Sequence, residues 1–232
     1  TDDIKRRIRE AAEGTDVCIV EVGGTVGDIE GMPYLEALRQ FAHEEEDDDI
    51  LFTHVTLVPY SKNGEQKTKP TQHSVKELRS IGLQPDILVG RCEDPLEEET
   101  REKIALFCDV PTGAVFSNPD VADIYRVPLV VEDEGLDEYV MDHLGLAGEA
   151  LPEGQRDTTW RETVTRDSEG TVEVALVGKY GLEDAYISIH ESLKHAGLEK
   201  RVDVDRQWVH SEDLADGHDG QLDGVDGVVI PG

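Results

Sequence analysis

The chain has few aromatic residues and no long apolar run. Aromatics make up 5% of its 232 residues, and apolar runs such as Val17–Val22 are far shorter than the ~20 residues that a membrane-spanning helix needs. No basic and then apolar leader opens the sequence. We therefore expect a soluble, cytoplasmic protein with no membrane partner.

Cysteine is also scarce. Cys18, Cys92 and Cys108 are odd in number and lie in apolar or mixed stretches without C-x-x-C spacing. Such cysteines are typical of reduced thiols in a cytosolic protein. We expect mostly buried thiols, with neither a disulfide nor a zinc site.

Basic residues are few: 22 of them stand against 52 acidic residues, which gives a formal net charge of −30. This charge repels nucleic-acid phosphates and argues against nucleic acid as a partner. The acidic residues are spread over the whole chain, as in proteins from a salt-loaded cytoplasm; a merely acidic mesophilic protein is the alternative. A halophilic protein would gain stability in molar salt, where the Debye length falls to ~3 Å.

Apolar β-rich runs alternate with helical periodicity up to about Leu144, which predicts a parallel sheet wrapped by helices over residues 1–144. The predicted strands are Asp16–Val22, Leu51–Pro59, Asp86–Gly90 and Gly113–Phe116. The predicted helices are Asp3–Ala12, Pro33–Glu45, Thr71–Ile81, Glu97–Cys108 and Val121–Arg126. The acidic run Glu44–Asp49 predicts a solvated helix end and loop.

Periodicity fades over residues 145–171, which predicts a linker. A second alternation follows over residues 172–232. Its predicted elements are strand Val172–Val177, helix Asp184–Ala196, strand Val202–Trp208 and strand Gly227–Ile230. Four elements cannot bury both faces of a parallel sheet, so we expect a second α/β domain that is cut short.

An apolar run leads into Glu21–Glu30, a stretch with three glycines and three carboxylates. If the run is a strand, Glu21 lies at its carboxyl end, the edge where open α/β sheets bind ligands. A carboxylate there suits Mg²⁺. Alternatively, the glycines only shape a turn, while Asp28 and Glu30 cap the next helix. The residues alone leave both interpretations open.

Two lysines stand close together at Lys67 and Lys69, in a chain with few lysines. On an extended segment, which Pro70 favours at Lys69, both would point to the same side. Thr71 and Gln72 then lead into a helix N-terminus, whose free N–H groups favour anions. The pattern indicates a triphosphate clamp; surface lysines on a loop are the alternative.

Three single residues are weaker candidates. Arg91 ends a predicted strand at the ligand edge, and Lys103 lies on the following helix, where a solvated position is the default. Asp120 follows a further strand, either as a helix cap or as a contact to a base.

Four stretches together resemble the CTP synthase family in order and spacing: Val20–Glu30, Lys67–Leu78, Gln84–Arg91 and Lys103–Val110. The resemblance implies a parallel-sheet, P-loop synthase domain similar to dethiobiotin synthetase. The start of a flavodoxin-like class I glutamine amidotransferase domain would follow. It also implies a reaction in which ATP phosphorylates O4 of UTP and ammonia from glutamine displaces the phosphate to give CTP.

The resemblance also implies roles for single residues. Glu21 is similar to the Mg²⁺-binding glutamate. The implied UTP and CTP residues are Asp28, Ile29, Glu30, Lys67, Thr68, Lys69, Pro70, Thr71, Gln72 and Lys103, the first three serving feedback inhibition by CTP. The implied ATP-side residues are Arg91, Pro119, Asp120 and Val121, although the basic residue often found at the place of Pro119 is absent.

The remaining implications concern partners and missing parts. The resemblance implies a homotetramer with nucleotide sites shared between subunits, and GTP as an allosteric activator. By the resemblance, the P-loop would precede Thr1, and the amidotransferase Cys, His and Glu would follow Gly232. Gly232 itself would begin a loop that helps to form the oxyanion hole. We expect the chain by itself to be inactive. The alternative is an inactive module that senses UTP or CTP, or that serves an assembly.

Overall fold

The computed structural model describes residues 1–46, 49–146, 159–180, 183–215, 217 and 219–231. The chain divides into two compact units, Thr1–Gly154 and Gln155–Gly232. The division falls inside the predicted linker, of which residues 147–158 lie outside the described part. Asp47, Asp48 and Gly232 also lie outside it.

The first unit contains a parallel sheet of three strands, ordered β1 (Thr53–Leu57), β2 (Ile87–Cys92) and β3 (Val115–Pro119). The central strand β2 is buried at every position except Arg91, as expected for a parallel strand covered on both faces. Three of the four strand predictions for this unit are therefore confirmed in position.

Helices pack on both faces of the sheet around β2 and β3, which confirms the α/β class, while one face of β1 is exposed at Val55 and Leu57. The helices of this unit are α1 (Asp2–Ala12), α2 (Met32–Glu44), α3 (Lys69–Ile81), α4 (Glu98–Cys108), α5 (Val127–Asp133) and α6 (Leu136–His143). On one face Val75 of α3 and Ile104 of α4 pack against Leu88 in a buried cluster. On the other face Phe116 packs against Tyr139 of α6, with ring centroids 5.7 Å apart.

The predicted strand Asp16–Val22 is wrong. The segment forms no strand, and the side chain of Ile19 is 92% exposed. An extended apolar run becomes a strand only where a neighbour completes its hydrogen bonds, and in the described sheet none does. For the same reason Cys18 is exposed, against expectation, whereas Cys92 and Cys108 are buried.

Two helix boundaries also differ from the prediction. Helix α3 begins at Lys69, because Pro70 is accommodated in a first turn, where no N–H partner is needed. The predicted helix Val121–Arg126 is wrong: Val121 is not helical, and a 3-10 turn covers only Ile124–Arg126. The Asp123 carboxylate accepts a hydrogen bond from the Tyr125 N–H and so delays the helix. Helices α5 and α6 were not predicted.

The acidic helix end is exposed at Glu44, Glu46 and Asp49, as predicted. Glu44 at the end of α2 also accepts a hydrogen bond from Lys5 and pairs with Arg9 of α1 at 2.8 Å. The hydrogen bond that Lys5 donates to Glu44 raises the pKa of Lys5 and lowers the pKa of Glu44. The carboxylates therefore join α1 to α2.

An arginine anchors the middle of β3. Arg101 Nη2 lies 2.9 and 2.7 Å from the two carboxylate oxygens of Glu134 and donates to Ser117 Oγ at 2.7 Å. Glu134 also accepts the Ser117 N–H at 2.8 Å. These charge-assisted hydrogen bonds hold Ser117, the central residue of β3, in place.

The second unit has its own parallel sheet, ordered β5 (Asp203–His210), β4 (Thr171–Gly178) and β6 (Gly227–Val229). These strands were all predicted. Its helices are α7 (Thr159–Thr165), α8 (Ile187–Lys200) and α9 (Ser211–Ala215). Helix α7 lies in the predicted linker, and α8 starts later than predicted, after a 3-10 turn at Glu183–Tyr186.

Among the described helices of both units, none is long and apolar enough to cross a bilayer.

Candidate functional site

The predicted clamp Lys67–Gln72 lies at the carboxyl end of β1. The chain leaves β1 and turns through a short hairpin, closed by a bridge between Tyr60 and Gln66 and by a bond from the Lys67 N–H to the Pro59 carbonyl at 2.8 Å. It then enters α3. The clamp therefore stands at the edge where parallel sheets present their ligand-binding loops.

The first turn of α3 is built to stay in place. Thr71 is fully buried, and Thr68 and Gln72 are almost so. The Gln72 carboxamide donates to Thr68 Oγ1 at 3.0 Å, and Lys69 Nζ donates to Gln72 Oε1 at 2.9 Å. No acidic residue lies in this turn, so the N–H groups of a 13-residue helix remain available to an anion.

The arrangement of the lysines differs from the one predicted. Lys69 is the first residue of α3, not part of an extended segment with Lys67. Lys67 Nζ binds Glu65 Oε2 at 2.8 Å on the hairpin. This bond is the main cause that lowers the pKa of Glu65, and the charge of Lys103 adds to it.

A groove of about 320 Å³ runs beside the clamp between α3 and α4. Its lining residues are Lys69, Gln72, His73, Val75, Lys76, Arg79 and Phe107. Lys69 Nζ lies 5.3 Å from the centre of the Phe107 ring. The groove therefore offers an aromatic surface beside positive charge.

The sequence interpretation missed Phe107, Lys76 and Arg79. A signal was present for the two basic residues, since Lys69, Lys76 and Arg79 are spaced to share one side of a helix. Phe107 carried no such signal, because only the packing of α4 beside α3 brings it to the groove.

The predicted ATP-side residues meet at the ends of β2 and β3. Arg91 Nη2 lies 3.3 Å from Asp120 Oδ1, and the Asp120 N–H donates to the Cys92 carbonyl at 2.9 Å. Pro119 pairs with Cys92 at the end of β3, and Val121 follows.

Asp120 does not cap a helix; Asp123 caps the 3-10 turn that follows. Beside them, Asn118 Oδ1 is buried and has no hydrogen-bond partner within the part of the chain that the structure describes.

The predicted loop Glu21–Glu30 is exposed and turn-like. Asp28 Oδ2 accepts the Thr25 N–H at 3.2 Å and closes a turn. The alternative interpretation, in which Asp28 and Glu30 cap the next helix, is wrong, because no side chain caps the start of α2. The Glu21 carboxylate lies beside Gly23, and Ile29 is 87% exposed. Among the described residues, no hydrogen bond or ion pair joins this loop to Lys67–Gln72.

The fit to Mg²⁺ is limited to Glu21. Within the described ranges, no group of three His, Cys, Asp or Glu side chains could hold a metal ion. Mg²⁺ is often held by one or two carboxylates together with substrate phosphates. The single exposed carboxylate of Glu21 fits this mode of binding. It does not fit a metal site that is built from protein groups alone.

Known proteins match the whole chain. The family model described as CTP synthase N-terminus matches residues 1–146. The chain is 76% identical over 232 residues to the CTP synthase of Haloarcula hispanica and 72% identical to that of Halobacterium salinarum. It is 53% identical over 237 residues to the CTP synthase of Archaeoglobus fulgidus. It covers 42%, 42% and 43% of these relatives, well under half of their length.

Proposed function

Because the chain belongs to the CTP synthase family, we propose that it forms part of an enzyme that aminates UTP to CTP. ATP would phosphorylate O4 of UTP, and ammonia from glutamine would displace the phosphate. The observation that carries this proposal is the clamp: Lys67, Lys69 and an acid-free helix N-terminus stand together at a sheet edge, in a protein of charge −30.

The clamp and its groove would bind UTP, and CTP as an inhibitor. Lys67, Lys69 and Lys103 would face the phosphates, with the N–H groups of the first turn of α3, and Thr68, Pro70, Thr71 and Gln72 would hold that turn. The Phe107 ring is suited to stack on a flat pyrimidine base. Phosphoryl transfer depends mainly on positioning and charge neutralisation, which these residues supply.

ATP would lie at the neighbouring strand ends. Arg91 would contact the ATP phosphates. Its exposed ion pair with Asp120, at 3.3 Å, is weak, so the phosphates would replace Asp120 as the partner of Arg91. Pro119, Asp120 and Val121 would line the adenine. Mg²⁺ would be held by Glu21 and by phosphate oxygens, and it would supply charge neutralisation. GTP, as an allosteric activator, is proposed on the family resemblance alone.

Feedback inhibition by CTP would use Asp28, Ile29 and Glu30. These residues are exposed and are not bonded to the clamp of their own chain. On the family resemblance alone, the loop of one subunit would complete the nucleotide site of another in a homotetramer. A cytoplasmic location fits substrates that are cytoplasmic metabolites.

The proposal is tested with the full-length gene product in molar KCl. We expect glutamine-dependent CTP formation from UTP and ATP, with UTP bound far more tightly than uridine. UTP binding without CTP formation would favour an inactive sensor module. Equal affinity for UTP and uridine would contradict the phosphate clamp.

Glu65 offers a separate test. Its carboxylate forms an ion pair with Lys67 Nζ at 2.8 Å and would compete with the UTP phosphates for that group. We expect Glu65→Gln to tighten UTP binding only about twofold to fivefold, since exposed ion pairs are weak. Isothermal titration measures the change. Glu99→Gln, which removes an exposed charge elsewhere on the same unit, is the matched control. An unchanged affinity in Glu65→Gln would show that this pair does not compete with nucleotide.

A further inference from the structure

One buried carboxamide links the clamp to the rest of the sheet edge. Gln66 is 9% exposed and directly precedes Lys67. Its Oε1 accepts the Glu97 N–H at 3.0 Å, and its Nε2 donates to the Pro95 carbonyl at 3.0 Å. Both partners belong to the loop at residues 93–97, which follows β2.

That loop is itself held in place. Leu96 is 5% exposed and belongs to the main apolar cluster. Its N–H donates to Ser117 Oγ at 3.0 Å. Its side chain also lies over Gly90, where an added Cβ would come within 3.1 Å of Leu96 Cδ1. A residue larger than glycine at position 90 would push the loop away.

The loop is continuous with the predicted ATP side. It begins one residue after Cys92, and Arg91 precedes it. Ser117, which anchors the loop, is fixed by Arg101 and Glu134 and lies three residues before Asp120. Gln66 therefore joins the segment that carries Lys67 to a framework that carries the ATP-side residues.

We propose that Gln66 is a positioning residue that sets Lys67, and with it the UTP phosphates, relative to ATP. The inference rests on the proposed function. Hydrogen bonds in both directions fix the orientation of the carboxamide, and close placement of two reactants contributes strongly to rate. Without these bonds the hairpin end would move while α3 stays packed by Thr71 and Val75.

The test uses the full-length gene product in molar KCl and the variant Gln66→Met, which keeps chain length and removes both bonds. We expect the KM for UTP to rise about tenfold, the size of effect that losing one or two hydrogen-bond anchors produces. The glutaminase rate and the KM for glutamine should stay at wild-type values. A purely structural defect would lower all activities together.

Gln84→Met is the matched control. The Gln84 carboxamide also binds backbone carbonyls, those of Cys108 at 3.2 Å and Asp109 at 3.1 Å, but it lies before β2 at the opposite end of the sheet. We expect its KM for UTP to stay at the wild-type value. Gln66→Glu keeps an acceptor for the Glu97 N–H but sets a carboxylate against the Pro95 carbonyl, so its KM should be at least as high as that of Gln66→Met.

The outcomes separate the two proposals. Absence of CTP formation in wild type would overturn the proposed function. An active wild type in which Gln66→Met and Gln84→Met have equal KM values for UTP would overturn the role of Gln66 alone. If Gln66→Met fails to fold, Gln66→Glu is compared with Gln84→Glu, and equal KM values there would overturn it as well.

Discussion

The double variant Lys67→Ala, Lys69→Ala should bind UTP about a hundredfold more weakly than wild type. A hydrogen bond to a charged group contributes about 1.5–3 kcal/mol, so two such bonds would account for about 3–6 kcal/mol. We take the lower end because molar salt, with a Debye length of ~3 Å, screens charge. Titration calorimetry in molar KCl measures the loss.

Phosphate number provides the internal check on this result. Wild type should prefer UTP to UMP strongly. The double variant should lose most of that preference if the removed charges face the distal phosphates, as we propose. Lys62→Ala is the control, since Lys62 is exposed on the same hairpin but outside the clamp. A double variant that still prefers UTP to UMP as wild type does would place the triphosphate elsewhere.

The placement of Lys67 and Lys69 at the start of a helix could be predicted because its signals are local; their role as a clamp stays a prediction. Two lysines in a lysine-poor chain, followed by a helix start, can be found without knowing any neighbour. The parallel strands β1 to β3 were found for a related reason: a covered strand such as Ile87–Cys92 appears as a short continuous apolar run. The helical position of Lys69 was missed because the residue before proline usually avoids helix.

Other features depend on residues that are distant in the sequence. Phe107 reaches the groove only through the packing of α4 against α3, and the Gln66 carboxamide meets Glu97 31 positions away. The apolar run Asp16–Val22 gave a false strand, because strand formation depends on a partner that local sequence does not specify. Asp28 closes a turn by accepting the Thr25 N–H. The pattern of carboxylates in the sequence did not show which partner Asp28 would have.

The second large effect expected is on stability in salt. The similar CTP synthases of Haloarcula hispanica and Halobacterium salinarum come from halophilic archaea, and the net charge of this chain is −30. Surface pairs such as Arg7 with Asp3 at 2.9 Å are more than half exposed and contribute little to stability. They cannot offset repulsion among so many unneutralised carboxylates.

We therefore expect the melting temperature to rise by about 15 °C between 0.1 M and 3 M KCl. The Debye length falls from about 10 Å at 0.1 M to ~3 Å at 1 M, which removes most repulsion between neighbouring carboxylates. Relief of about 5 kcal/mol corresponds to about 10–20 °C for a chain of this size. Differential scanning calorimetry over a KCl series measures the slope.

A charge variant separates screening from the general effect of salt on apolar burial. Glu99→Gln with Glu102→Gln removes two exposed carboxylates one turn apart on α4, which repel each other at that spacing. This variant should melt higher than wild type at 0.1 M KCl and equally at 3 M, because the removed repulsion is already screened there. A wild-type melting temperature that does not change with KCl would contradict halophilic adaptation and favour a merely acidic protein. If the variant and wild type show the same slope, the salt effect acts through apolar burial, which strengthens in salt without regard to these carboxylates.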